Sequence, residues 1–200
     1  TLLASYAKAG GKDAALLLHS QERGAALVND LGRMAQLDKT VRGVPARVIP
    51  LPLWHTASTG IDLWLSAFAY GASQVWVLIT GEQAPQYHEA LREQMAVAEA
   101  VLQGLGYGGR HFKLIEVRDA RDLAALDAEL AETHAQGVAK RASFALQGDK
   151  RGTLDLALGH LLDDSAGRAA RTKEAAIALP TASPFGSLDV NRDACTLCLS

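Results

Sequence analysis

Gln74 to Thr80 reads QVWVLIT. The run is uncharged, rich in β-branched residues and long enough to cross a sheet, and it predicts a strand. Working outward, Gly60 to Tyr70, GIDLWLSAFAY, precedes it as a helix, with Ser58 or Thr59 as N-cap and Gly71 as terminator. After it, Gln86 to Leu105 is the longest helical stretch, with Leu91, Met95, Ala98, Val101 and Leu102 as its buried stripe. Gly106 and the Gly108-Gly109 pair end that helix, and His111 to Val117, HFKLIEV, is the next strand. Asp119 then opens a helix to about Gln136.

The same alternation runs back to the start. Lys12 to His19, KDAALLLH, suits a strand buried on both faces. Arg23 to Gln36 follows as a helix with Ala26, Leu27, Leu31 and Met34 at helical spacing, until Gly43 and Pro45 break the pattern. Arg47 to Leu53, RVIPLPL, is extended, and its prolines at 50 and 52 place it at a sheet edge. The order βαβαβαβα predicts a doubly wound α/β fold of four to five parallel strands with helices on both faces. Right-handed crossovers and the proline-bearing edge favour the strand order 2-1-3-4. The crevice then lies at the C-terminal ends of strands 1 and 3.

Past Gly137 the pattern changes. Residues 1–142 read as the α/β domain and 143–180 as an extension packing on it. That extension holds a short apolar run, Ser143 to Gln147. A helix follows over Gly152 to Leu162, with Leu154, Leu158, Leu161 and Leu162 on one side. Residues 181–200 read as a linker, TASPFGS, and the start of another module.

Composition narrows the partners. Apolar residues are 48% and charged residues 21%, as in ordinary globular proteins. A net charge of −2 gives no electrostatic reason to expect nucleic acid or an anionic membrane surface. No apolar run reaches spanning length. Two cysteines in 200 residues make a reducing cytoplasm the default location. The chain opens on Thr1 and closes just after its cysteines, so both ends read as cuts in a longer chain.

Several familiar chemistries lack their motifs. There is no G-x-G-x-x-G, Walker A loop or G-x-S-x-G elbow. GLGYGG at 104–109 sits between helix and strand, the wrong order for a phosphate cradle, and reads as a helix C-cap. Asp163 and Asp164 read as a solvated loop pair. The histidines are more suggestive. His19, His55 and His88 follow strands 1, 2 and 3, whose ends share one edge, so three imidazoles with Glu82 as a fourth ligand would suit zinc. Alternatively, Trp54, His55 and Tyr87 line a small-molecule pocket there. Ordinary loop and capping roles account for the same residues. Trp64 and Trp76 read as core.

Ala46 to Val117 contains a helix ending AFAYGA, the strand QVWVLIT, a loop ending in Tyr87-His88, and a long helix ending in LQGLGY. This stretch resembles the delta subunit of methyl-viologen-reducing hydrogenases, a small iron–sulfur subunit linking hydrogenase to heterodisulfide reductase. In that family the strand-end loops carry cysteines for a 2Fe–2S cluster. Here those loops read HSQERG, LWHTAST and TGEQAPQYH, with no thiol, so the cluster does not carry over. The resemblance implies an emptied site beside His55 and His88.

The two cysteines, Cys195 and Cys198, stand in DACTLCLS at the end of the chain. This resembles the opening of a bacterial-type ferredoxin repeat, C-x-x-C-x-x-C-x-x-x-C-P, whose cysteines hold 4Fe–4S cubanes. Cys195 and Cys198 would be the first two ligands, with the third due at position 201. Half a zinc site or a redox pair are the competing readings of the same spacing. The resemblance implies a domain with no turnover of its own, serving an iron–sulfur electron carrier that docks redox enzyme subunits. The rivals are a ligand- or metal-binding domain using the histidine edge, and a purely structural interaction module.

Overall fold

The computed structural model describes residues 2–131, 134–165, 176–181 and 183–186. Four parallel strands form one sheet in the order β2-β1-β3-β4, as the edge prolines predicted. These are β1 (Ala14–Ser20), β2 (Val48–Leu53), β3 (Ala72–Ile79) and β4 (Phe112–Glu116). β1 and β3 are buried along their whole length, which explains their unbroken apolar sequences.

Side-chain alternation divides the core into two layers. Leu16, Leu18, Val75, Val77 and Phe112 point to one face. There they meet α3 (Ile61–Ala69), α4 (Pro85–Gly104) and α6 (Lys150–Ser165). Ala15, Leu17, Trp76, Leu78 and Ile115 point to the other, against α2 (Arg23–Leu37) and α5 (Leu123–Leu130). The fold is a doubly wound α/β sandwich. The N-terminal α1 (Leu2–Lys8) adds Leu3 to the first layer, and no sequence pattern had pointed to it.

β2 lies at the edge because Pro50 and Pro52 have no amide hydrogen. Its bonds to β1 run through odd-numbered residues: the Ala15 amide donates to the Arg47 carbonyl and the Gln21 amide to the Leu53 carbonyl. The prolines, opposite Leu17 and His19, fall on the even positions that face away.

Four local expectations are corrected. The N-cap of α3 is Gly60, not Ser58 or Thr59, because those hydroxyls donate to the His55 and Thr56 carbonyls of a preceding 3-10 turn. Asp62 in the first turn of α3 supplies the negative charge that helix start favours. Gly71, at φ 106°, terminates α3 as expected. The helix expected from Asp119 to Gln136 is only Leu123–Leu130. At its start Asp119 and Asp122 accept the Arg121 and Arg118 amides, which favours a tight turn. Beyond its end the Gln136 amide donates to the Gly108 carbonyl instead of back along a helix.

In α6 Thr153, Ala157 and Leu161 are buried, Leu154 and Leu158 pack half-buried on the same core as expected, and of the expected stripe only Leu162 is exposed. Small side chains at the contact let α6 lie close against α3. The Asp163–Asp164 pair belongs to this helix, and Asp164 accepts from the Tyr107 hydroxyl and the Ala139 and Lys140 amides. Ser143 to Gln147 has no regular structure; the Phe144 ring packs at a tilt against Tyr70, centroids 5.1 Å apart, and its carbonyl accepts the Tyr70 hydroxyl. Among the described residues no helix is long and apolar enough to cross a membrane.

Candidate functional site

The C-terminal ends of β1 and β3 are the switch point of the sheet, where ligands of open α/β folds bind. A polar network occupies it. The Ser20 and Thr80 hydroxyls each donate to Glu82 Oε2 at 2.6 Å. Ser20 Oγ in turn accepts the Gly24 amide at 2.9 Å, in the first turn of α2. The buried Gln83 side chain accepts the Thr80 amide at 3.0 Å. Burial opposes charge on Glu82, but the two hydroxyls, the Arg23 amide and the Arg23 guanidinium outweigh it and hold the carboxyl below its usual range. Glu82 is therefore an ionised strap tying the loop after β3 to the start of α2.

The helix start comes close because residue 24 is glycine. A Cβ there would stand 2.9 Å from His19 Cβ and 3.1 Å from Ser20 Oγ. Gly24→Val is expected to push α2 off β1 and break the Ser20–Glu82 chain, costing about 1–3 kcal/mol in thermal unfolding. An unchanged melting temperature would contradict that packing.

The three histidines do not converge. His19 lies on the α2 face of β1, buried beneath Gly24, with Nδ1 donating to the Ser20 carbonyl at 2.9 Å. His55 is exposed on the loop after β2 and meets the edge of Tyr87 at 5.6 Å. His88 is half-buried in the first turn of α4, its Nε2 shielded and without a partner. Strand ends share an edge, but alternation and loop length send these rings in different directions. Among the described residues no three His, Cys, Asp or Glu side chains form a group able to hold a metal, so the zinc expectation for His19, His55, His88 and Glu82 does not hold there.

Trp54, His55 and Glu82 do share a cleft of about 260 Å³ with Ser20, Gln21, Glu22 and Gln83. Trp54 is 87% exposed and Tyr87, just outside the cleft, 45% exposed. A larger cleft of about 1020 Å³ opens nearby between the starts of α3 and α6, α4 and Pro184–Gly186. Its walls mix Ile61, Leu154 and Phe185 with Asp62, Glu93 and Arg151. Sequence reading missed it because it exists only once α6 packs beside α3. The Ser20–Gly24–Glu82 network was missed as well, although a serine closing a buried strand and a glycine opening the next helix were visible in HSQERG. Cys195 and Cys198 lie outside the described residues.

No protein-family model matches the chain, and no curated protein matches it either.

Proposed function

We propose that the chain is the α/β part of an iron–sulfur electron-transfer protein. Cys195 and Cys198 are the first thiolate ligands of a 4Fe–4S cubane, and the α/β unit is a scaffold that docks a cytoplasmic redox partner. The carrying observation is where the thiols are. Residues 1–194 contain none, and both cysteines stand at C-x-x-C spacing just after a proline-, glycine- and serine-rich stretch. Thiolates are the donors such clusters require. A cubane takes four and this sequence supplies two, so the reading calls for the others from a longer chain or a partner. Once bound, the cluster supplies one-electron transfer. The exposed Trp54 and Tyr87 at the sheet edge offer the contact area favoured in docking surfaces.

The test is iron and acid-labile sulfide after anaerobic expression of the parent reading frame. Iron and sulfide in cubane ratio, lost in Cys195→Ser and in Cys198→Ser, is the expected result. Absence of both from the parent protein would sink the proposal. The second reading, a small-molecule domain, is favoured by the 260 Å³ cleft at the switch point. It requires a ligand that protects this 200-residue chain in thermal unfolding and loses its effect in Trp54→Ala.

A further inference from the structure

Glu82 and Gln83, on the loop after β3, have their side-chain heads pinned to one residue. Gln83 Oε1 lies 3.0 Å from the Thr80 amide and 3.5 Å from the Thr80 hydroxyl, and Glu82 Oε2 lies 2.6 Å from that same hydroxyl. An amide N–H can only donate, so the Gln83 oxygen is the atom turned to Thr80 and its Nε2 group is turned away. Gln83 is only 8% exposed and forms part of the wall of the 260 Å³ cleft at the ends of β1 and β3. Among the described residues Nε2 has no acceptor. It is not sealed off, as His88 Nε2 is, so it opens on the cleft. Two N–H donors of a buried side chain are thus left for whatever enters. On Glu82 the Ser20 and Thr80 hydroxyls both go to Oε2, so Oε1 keeps acceptor capacity beside that donor.

Another part of the wall is an aromatic ring held in the open. The exposed Trp54 stands between two anchored neighbours: the Leu53 carbonyl accepts the Gln21 amide, and the His55 carbonyl accepts the Ser58 amide and hydroxyl. An indole fixed at its backbone and bare at its faces costs little to order and gains by being covered. The wall carries two carboxylates, Glu22 and Glu82, and no lysine or arginine among its described residues. Arg23 lies beside Glu82 but outside that wall. A phosphate or carboxylate would meet charge of its own sign there. The cleft is also smaller than the roughly 300–1,000 Å³ of pockets for drug-sized ligands, which limits it to one ring system.

We propose that this cleft binds an uncharged planar nitrogen heterocycle of the nucleobase class, stacked on Trp54 and held along one edge by Gln83 and Glu82; the assignment rests on the small-molecule reading of the domain. Gln83 Nε2–H donates to a ring nitrogen or ring carbonyl. The neighbouring ring N–H or exocyclic amine donates to Glu82 Oε1. In adenine these groups are the ring nitrogen N1 and the amine at C6. An aromatic hydrocarbon would cover Trp54 but leave the Gln83 donors unmet, and a sugar or simple amine would meet the polar pair but leave the indole bare. A flat ring with donor and acceptor side by side satisfies both.

The test is binding of adenosine to the 200-residue chain, followed by the Trp54 indole resonance in NMR and by thermal unfolding. Adenosine is expected to shift that resonance and raise the melting temperature, with adenosine monophosphate binding no tighter. The analogue dimethylated at the C6 amine keeps the flat ring and N1 but has no amine hydrogen. It is expected to bind about tenfold more weakly, the loss of one hydrogen bond to a charged group. Gln83→Glu keeps an oxygen for the Thr80 amide and removes the donor, and it is expected to weaken adenosine about tenfold as well. Equal affinity for adenosine and its dimethyl analogue, both losing their effect on unfolding in Trp54→Ala, overturns the heterocycle assignment and leaves the small-molecule reading standing. Tighter binding of the monophosphate overturns the uncharged ligand. No response to adenosine, guanosine, cytidine or uridine at millimolar concentration overturns the assignment too. A fragment screen by thermal unfolding then judges the broader reading separately: hits lost in Trp54→Ala keep it, and a screen without any sinks both.

Discussion

Glu99→Ala is expected to lower the stability of the chain by about 3 kcal/mol at neutral pH, because it leaves buried hydrogen-bonding groups without their acceptor. The Glu99 side chain keeps 16% of its surface exposed, so water reaches part of the site, whereas the His111 ring has none. The variant strands two amide donors, those of His111 and Phe112, and leaves His111 Nδ1 without its partner. Each is a buried group whose desolvation goes uncompensated. The effect also has a defined pH sign. Burial alone would raise the Glu99 carboxyl, but the His111 ring and those two amides outweigh it and lower it in the folded chain, so its contribution is complete above the ordinary glutamate range. It disappears as pH falls through the lowered folded value. Urea midpoints of wild type and Glu99→Ala should therefore be far apart at neutral pH and converge in acid. A gap that persisted unchanged into acid would show that lost packing, rather than the carboxylate, causes the effect.

The other large effect is expected at Trp76, in the middle of β3. Trp76→Ala should cost about 3–5 kcal/mol, the usual range for truncating a large buried aromatic. Trp76 is fully buried between Leu17 of β1 and Lys113 of β4. Two cations lie against its ring, Arg47 at 5.3 Å and Lys113 at 5.2 Å from the centroid. Arg47 also donates to the Asp13 carbonyl and to Gln74, so the ring helps seat the residue that joins β2 to the base of β1 and β3. Trp76→Phe should cost clearly less than the alanine change. The indole Nε1 is buried without a partner, so its removal sacrifices no hydrogen bond. Equal losses in the two variants, read from urea midpoints, would mean that ring volume and cation contact contribute little.

The sheet was legible because its strands are buried on both faces. QVWVLIT and AALLLH have no polar alternation to confuse with a helix, and two prolines marked the edge. What failed was local chemistry decided by distant partners. Ser58 and Thr59 are good caps in isolation, but a turn immediately before them took their hydroxyls. The α5 pattern promised several more turns, and the Gly108 loop claimed the Gln136 amide instead. The site was legible only as a place. The crevice at the ends of β1 and β3 followed from strand order, and Trp54, His55 and Glu82 do line it. Its wiring depends on the reach of Glu82 back to Ser20 across 62 positions of sequence, which no local pattern encodes. His111 and Glu99 escaped notice for the same reason: their pairing is a consequence of α4 lying along β4.

The placement of Pro50 and Pro52 gives the sheet a direction of growth. An incoming strand beside β2 would find no donor at its outward positions: Pro50 and Pro52 have no amide hydrogen, and the Val48 amide donates to the Pro45 carbonyl. β4 carries no proline and lies at the opposite border. Among the described residues β4 is the border without proline, so edge-to-edge pairing of the folded domain is expected to favour it, and proline at an outward position of β4 to suppress that pairing.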